Sequence, residues 1–272
     1  MQESSLSYPY RDVRPVTPPA AYIGGKRNLA AEIVRRIEAV PHESYCEPFV
    51  GMGGVFLKRR LAPRSEIIND LSGDVVTLFR ILQRHYGAFM DHMRFALASR
   101  QEFERLLAVD PATLTDLELA GRFLYLQRLT FGGKVTGRTF GVSAGLPSRF
   151  NLNRLGAILE EIHERLAGVI IERLPWQDCL ARYDTPGTLF YLDPPYWGSE
   201  HYYGRDAFER RDYEAMAAAL GTLQGRFMLS LNDTPGVREV FAAFAIDSVE
   251  TTWSAARAAA RRVREVIIGP RC

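Results

Sequence analysis

Asp193, Pro194, Pro195 and Tyr196 stand in a row immediately after the apolar run Thr188–Leu192. That run reads as a buried strand, so its carboxyl end delivers a carboxylate, two prolines and an aromatic ring to one place. Proline carries no N–H, and the two proline carbonyls therefore have no continuing ladder to join. These groups make a stiff ledge of acceptors beside a ring face. Such a ledge suits a flat heterocycle with an exocyclic amine: one amine hydrogen goes to Asp193, the other to a proline carbonyl, and the ring stacks on Tyr196. The same four residues also fit a strand-ending turn with an Asp cap and a core tyrosine.

Three earlier segments bear on what could sit beside that ledge. Glu47-Pro48-Phe49-Val50-Gly51-Met52-Gly53-Gly54 follows a short strand pattern and precedes Val55-Phe56-Leu57. A glycine-rich turn after a strand lets backbone approach a ligand closely. Phe56 stands where a dinucleotide fingerprint needs glycine or alanine, and no G-K-[ST] follows at phosphate-loop spacing. A ligand without phosphates, such as S-adenosylmethionine, fits the turn better; a purely structural glycine turn fits it too. Asp70 ends the run Ile67-Ile68-Asn69-Asp70, where an acid can accept from ribose hydroxyls or cap the helix that follows. Tyr22-Ile23-Gly24-Gly25-Lys26 precedes a helix, and is either a grip for a carboxylate at a helix N-terminus or a plain entry turn.

The elements that position these motifs follow from periodicity. Helices are expected over 28–40, 71–86, 117–131, 153–166, 211–223 and 236–244, and strands over 44–47, 66–68, 169–172, 188–192 and 226–231. Segments 246–253 and 264–268 read as a closing antiparallel pair. Alternation of strands and helices at this length argues for an α/β fold with a largely parallel sheet. Residues 86–153 break the alternation, being helical and then glycine-rich, and read as an insertion. Residues 1–20 read as an irregular arm, residues 21–85 and 154–272 as the main domain.

The 272 residues are 47% hydrophobic and 24% charged, an ordinary globular composition. Cys46, Cys179 and Cys272 are far apart in sequence with no C-x-x-C spacing, which argues against a disulfide framework or a zinc site and fits a cytoplasmic location. No apolar run is long enough for a bilayer, and the N-terminus has no signal-peptide core. His201 has no partner at metal-ligand spacing, so no metal is expected; with Trp197, Tyr202 and Tyr203 it forms either a wall over the ledge or plain packing. Net charge is only +2, but residues 119–159 carry Arg122, Arg128, Lys134, Arg138, Arg149 and Arg154 with no acid, and 251–264 carry Arg257, Arg261, Arg262 and Arg264 with none. With +6 and +4 in these stretches, the remainder carries −8. Such segregation suits a polyanion on one face.

Taken in order, Y-I-G-G-K, E-P-F-V-G-M-G-G, I-I-N-D and D-P-P-Y make the chain resemble the D12 class of DNA adenine-N6 methyltransferases, the Dam-like family, from about Tyr22 to near Ile268. The resemblance implies a Rossmann-like S-adenosylmethionine-dependent methyltransferase sheet with a mainly helical inserted DNA-recognition subdomain at 86–153. It implies S-adenosylmethionine contacts at Tyr22, Lys26, Glu47, Phe49, Gly51, Gly53, Asp70 and Asp193. It implies that Asp193, Pro194, Pro195 and Tyr196 receive an adenine flipped from double-stranded DNA. The DNA-contacting residues would then be Arg122, Arg128, Lys134, Arg138, Arg149 and Arg257. The run Gln127-Arg128-Leu129-Thr130-Phe131-Gly132-Gly133-Lys134 departs from the Dam pattern and resembles a phage or prophage subgroup, so GATC is not implied as the site. N4-cytosine methylation and a DNA-binding homologue without catalysis are the alternatives. C5-cytosine methylation lacks its Pro-Cys pair here.

Overall fold

The computed structural model describes residues 10–26, 28–141, 145, 148–198, 208–253 and 261–271. In chain order its strands are β1 (Arg11–Asp12), β2 (Ser44–Glu47), β3 (Leu61–Ala62), β4 (Ser65–Asn69), β5 (Ile170–Glu172), β6 (Thr188–Leu192), β7 (Arg226–Asn232), β8 (Ala245–Trp253) and β9 (Arg261–Gly269). The helices are α1 (Ala30–Glu38), α2 (Gly73–Arg84), α3 (Tyr86–Met93), α4 (Arg100–Ala108), α5 (Asp116–Leu129), α6 (Leu152–Arg165), α7 (Trp176–Tyr183), α8 (Arg210–Leu220) and α9 (Pro235–Val240). No helix among the described residues is long and apolar enough to cross a membrane.

A seven-stranded sheet runs β5-β4-β2-β6-β7-β9-β8. Its first five strands are parallel, and β9 inserts antiparallel between β7 and β8. All five residues of β6 are buried, as a strand covered on both faces requires. The chain winds outward from β2 to β4 and β5, then returns to the other side of β2 for β6 and β7. The winding therefore reverses between β2 and β6, and in open α/β sheets the carboxyl ends at such a point frame a ligand crevice.

Helices α3, α4 and α5 fall within 86–153 and have no core of their own. Val75, Leu78 and Phe79 of α2, Phe89 and Met93 of α3, Phe103 of α4, Phe123 and Leu126 of α5 and Leu155 and Leu159 of α6 join one buried cluster with the sheet's Tyr45, Ile68 and Tyr191. Helix α5 starts on a capping box between Thr115 and Glu118 and is buried on nearly every side from Ala120 onward.

Sequence reading took the start of 86–153 as helical without delimiting α3 or α4, and missed α7. Only Phe103 of α4 is buried, so its apolar pattern is faint; α7 is two turns long and buries Trp176, Cys179 and Leu180. The arm at 1–20 is not wholly irregular, because Arg11 pairs with Ala62 and Asp12 with Leu61. Cys46 and Cys179, distant in sequence, come together as buried free thiols 3.6 Å apart.

At the amino end of β4 lies a buried ionic cluster that no motif announces. Glu66 accepts from Arg59 at 2.7 Å and from both terminal nitrogens of Arg165 at 2.7 Å. The Arg59 guanidinium lies 3.7 Å from the Tyr45 ring centroid, and Arg165 4.1 Å from that of Phe56. One carboxylate thus ties α6 to the chain that leaves the glycine turn. Replacing Glu66 by Gln leaves two buried guanidiniums facing a neutral amide and should lower stability by about 3–5 kcal/mol in urea unfolding. A loss below about 1 kcal/mol, the range of exposed pairs, would show that water already reaches the cluster.

Candidate active site

A cavity of about 1140 Å³ opens over the carboxyl ends of β2 and β6. Tyr22, Gly25 and Lys26 line it from the segment before α1, Glu47 from the end of β2, Phe49 and Gly51 from the turn that follows, and Asp70, Asp193 and Pro195 from beyond β4 and β6. Gly51 has φ +50°, and a Cβ there would come within 3.1 Å of the Tyr22 ring. Backbone conformation and close approach both demand glycine at that position. Gly53, with φ +73°, shapes the turn against Leu57 and is not on the cavity wall.

Asp70 holds the turn together. The Gly51 N–H donates to one carboxylate oxygen and the Ser72 N–H to the other, each at 2.9 Å. Burial raises its pKa to about 6 against the opposing pull of these two amides. Each carboxylate oxygen has a second lone-pair site, so these two amide bonds do not exhaust its capacity toward the cavity. Asn69 bonds both the N–H and the carbonyl of Leu174, at 2.8 and 3.1 Å. That clasp brings Pro175 and Trp176 to the wall near Asp70, where Phe49 and Leu71 add further apolar surface.

Asp193 lies at the end of β6 with its side chain 18% exposed. The Lys26 ammonium is 2.6 Å from Oδ1, and the Ser230 hydroxyl donates to the same oxygen at 3.2 Å. Tyr191 bonds Ser230 in turn at 2.8 Å. Burial lifts the Asp193 pKa to about 6; Lys26 opposes this, the nearby Glu265 carboxylate adds to it, and the Ser230 bond lowers it. Among the described residues no donor reaches the Pro194 carbonyl, whereas the Pro195 carbonyl accepts from the Tyr213 hydroxyl at 2.8 Å. Only one of the two acceptors expected from the sequence is therefore unclaimed.

Tyr196 is tied down at both ends. Its hydroxyl donates to Glu265 at 2.5 Å and also receives the Lys26 ammonium, which sits 4.2 Å from the ring centroid. Neither Pro194 nor Tyr196 lines the cavity. Asn232 clasps the N–H and carbonyl of Trp197 at 3.0 and 2.9 Å, and the indole packs on Gly236 and Tyr213. Trp197 therefore packs, while His201, Tyr202 and Tyr203 lie outside the described residues.

The six basic residues singled out above separate in space. Arg128 and Arg138 line the cavity, and each has a buried Nε without a partner. Arg128 donates to the carbonyls of Pro19 and Arg149, and Arg138 to the Gln127 side chain at 3.3 Å. Lys134 is half-buried and Arg149 exposed. Arg122 is turned inward instead, donating to the Leu106 and Leu107 carbonyls near the end of α4, where its charge serves the helix terminus. Arg257 lies outside the described residues.

Sequence reasoning passed over Glu265, Ser230 and Tyr45. Glu265 is an acid set in the apolar run of β9, and Ser230 a hydroxyl between Leu229 and Leu231 of β7. Both break a hydrophobic strand pattern, the one available signal. Tyr45 donates to Glu47 at 2.8 Å. Among the described residues no group of three or more His, Cys, Asp or Glu is placed to hold a metal ion.

Residues 22–254 match the family model described as D12 class N6 adenine-specific DNA methyltransferase. Over 230 residues the chain is 22% identical to the type II methyltransferase M.CviBI of Paramecium bursaria Chlorella virus NC1A, covering 82% of this chain and 86% of that protein. Among solved structures it is similar to PH1948 of Pyrococcus horikoshii, described as a putative RNA methyltransferase. The TM-score there is 0.38 at 7% identity, with 94% of this chain and 92% of the other covered.

Glu47, fully desolvated beside the cavity, has its pKa raised to about 8 from 4.5, chiefly by burial, with the Asp193 charge adding to the rise. A carboxyl with a raised folded-state pKa holds its proton more tightly folded than unfolded. Its contribution to stability is therefore lost as pH rises from about 4.5 through about 8. Glu47→Gln removes this titration and keeps an oxygen for Tyr45. Its melting temperature relative to wild type should be level below pH 4.5, climb across the window and flatten above pH 8. A difference independent of pH would show that the carboxyl is already solvated.

Proposed function

The chain belongs to the D12 class of N6 adenine-specific DNA methyltransferases, and on that premise we propose that the cavity between β2 and β6 binds S-adenosylmethionine beside an adenine turned out of duplex DNA. The observation that carries this reading is the Asp193 carboxylate: nearly buried, at the end of the central strand, and facing a cavity large enough for two ligands. The residues present fit the methyl donor. A close-approach glycine, Gly51, stands beside the acceptor Asp70, with Phe49 and Trp176 as aromatic walls.

When bound, S-adenosylmethionine supplies an electrophilic methyl group on a sulfonium. Asp70 accepts from its ribose hydroxyls, and Tyr22, Glu47, Phe49 and Gly51 line its place. Lys26 is set against Asp193, so its role is to hold that carboxylate ionised rather than to grip the ligand's own carboxylate. Adenine N6 is a weak nucleophile because its lone pair is delocalised into the ring. Asp193 and the Pro194 carbonyl accept the two amine hydrogens and localise that pair toward the methyl. Positioning and fixed acceptors supply most of the acceleration. The proton leaves N6 after methyl transfer, with Asp193 the adjacent acceptor. Tyr196 does not line the cavity in this structure, so its stacking on the base, worth about 1–3 kcal/mol against the few kcal/mol needed to unstack it from the duplex, requires the ring to shift toward the cavity.

Residues 86–153 form the target-reading segment, with Arg128, Lys134, Arg138 and Arg149 toward the phosphates. Arg122 is left out of this set because its side chain is buried against the end of α4, whereas Arg128, which also donates to backbone carbonyls, lines the cavity.

Two measurements test the reading. Asp193→Ala should lose roughly a hundred-fold or more of labelled-methyl transfer to unmethylated duplex DNA while binding that DNA with wild-type affinity. Retained turnover would remove Asp193 from the chemistry. Replacing Lys134 and Arg138 together by Ala should lower the slope of log affinity against log salt by about 2. An unchanged slope would move the DNA-facing surface elsewhere.

A further inference from the structure

S-adenosylmethionine ends in an amino-acid tail whose carboxylate needs a cation. Lys26 is already committed, 2.6 Å from Asp193 and 3.3 Å from Glu265. The other cations on the cavity wall are Lys58, Arg128, Arg138 and Arg211. Arg211 lies 3.2 Å from Glu209, Arg128 donates to the carbonyls of Pro19 and Arg149, and Arg138 donates to the Gln127 side chain. Among the described residues no acid pairs with Lys58.

Lys58 belongs to none of the motifs, yet the fold fixes it at the end of one. It closes the short 3-10 turn Phe56–Lys58, which continues the glycine turn after β2. Val55, Phe56, Leu57 and Arg59 are at most 2% exposed, whereas Lys58 between them is exposed and lines the cavity with Gly54 and Val55. Its N–H donates to the Val55 carbonyl at 2.9 Å, and the Leu57 carbonyl accepts from the Val16 N–H at 2.7 Å. Buried neighbours and these backbone bonds give the lysine stem a fixed starting point. With the ribose at Asp70 and the sulfur toward Asp193, as read above, the amino-acid tail runs along the turn that starts at Gly51, whose N–H donates to Asp70 at 2.9 Å. Gly54, Val55 and Lys58 come next along that wall. A carboxylate there is repelled by Asp70 and Asp193 and attracted by an unpaired ammonium.

Resting on the S-adenosylmethionine reading above, we propose that Lys58 binds the carboxylate of the cofactor's amino-acid tail. The two lysines then divide the work: Lys26 serves Asp193, and Lys58 selects a ligand that carries the acid group. Methyl donor and demethylated product share that group, so the contact contributes to binding and not to the chemical step.

Calorimetric titration of the ligand-free protein with S-adenosylhomocysteine, and with its decarboxylated analogue, isolates the carboxylate, because the analogue keeps the nucleoside, the thioether and the amine. Wild type should be compared with Lys58→Ala and Lys58→Arg. Lys58→Ala should weaken S-adenosylhomocysteine about ten-fold and leave the decarboxylated analogue within about two-fold of wild type. Lys58→Arg, which keeps the charge, should recover most of the loss. In methyl transfer by Lys58→Ala the KM for S-adenosylmethionine should rise by a similar factor, with kcat and DNA affinity unchanged. Unaltered S-adenosylhomocysteine binding in Lys58→Ala would overturn the inference. So would an equal loss for both ligands, which would place the effect on the nucleoside or on the shape of the turn. A fall in DNA affinity with cofactor binding intact would overturn it too, and would assign Lys58 to a DNA phosphate. A wild-type protein that binds neither ligand would instead remove the cofactor reading itself, and this inference with it.

Discussion

A carboxylate kept out of water yet open to a cavity is the constraint on which the rest of the structure depends. Asp193 meets it through three features. The buried strand β6 fixes the backbone, the prolines turn the chain out of the ladder, and Lys26 with Ser230 compensates for lost hydration on a single oxygen. Burial raises the Asp193 pKa, and the lysine opposes that rise, favouring the ionised form. On the methyltransferase reading proposed above, an acceptor fixed in this way needs little reorganisation as charge develops on an amine.

The end of α5 and the segment before α1 are joined by hydrogen bonds. The Gln127 side chain donates to the carbonyls of Ala21 and Gly133, at 2.8 and 2.7 Å, and the Ile23 N–H donates to Gly133 at 3.0 Å. Arg128 reaches the Pro19 carbonyl. The segment that carries Tyr22 and Lys26 into the cavity is therefore pinned to the end of α5, the helix that also presents Arg128. Helix α5 packs within the same buried cluster as α2, α6 and the sheet.

Electrostatics are divided between the two ends of β4. At the amino end, Glu66 is enclosed by two guanidiniums and serves the fold. At the carboxyl end, Asp70 leaves two backbone amides as its partners and, with Asp193 and Glu47, faces the cavity with a raised pKa. Raised carboxyls cost stability as pH rises. In this protein they gather beside the cavity, while the fully paired acid lies at the far end of the sheet.

Much of this was legible in the residues. Strand alternation and apolar runs placed β2, β4, β6 and β7 to within a residue or two, and the pair β8 and β9 with its direction. The order of the four motifs pointed to the family, because each sits at a strand end or helix entry where local chemistry forces its residue types. Less visible were α4 and α7, one burying a single residue and the other only two turns long, and the inward turn of Arg122, since a basic run does not say which side chains meet solvent.

Local sequence determined which groups stand at the strand ends, for backbone sterics and side-chain periodicity act over a few residues. It could not decide what those groups meet. Lys26, Asp193, Tyr196, Ser230 and Glu265 converge through strands whose order is set by burial of the whole sheet, and Cys46 meets Cys179 for the same reason. Distances between side chains far apart in the chain follow from packing, and only the folded molecule fixes them.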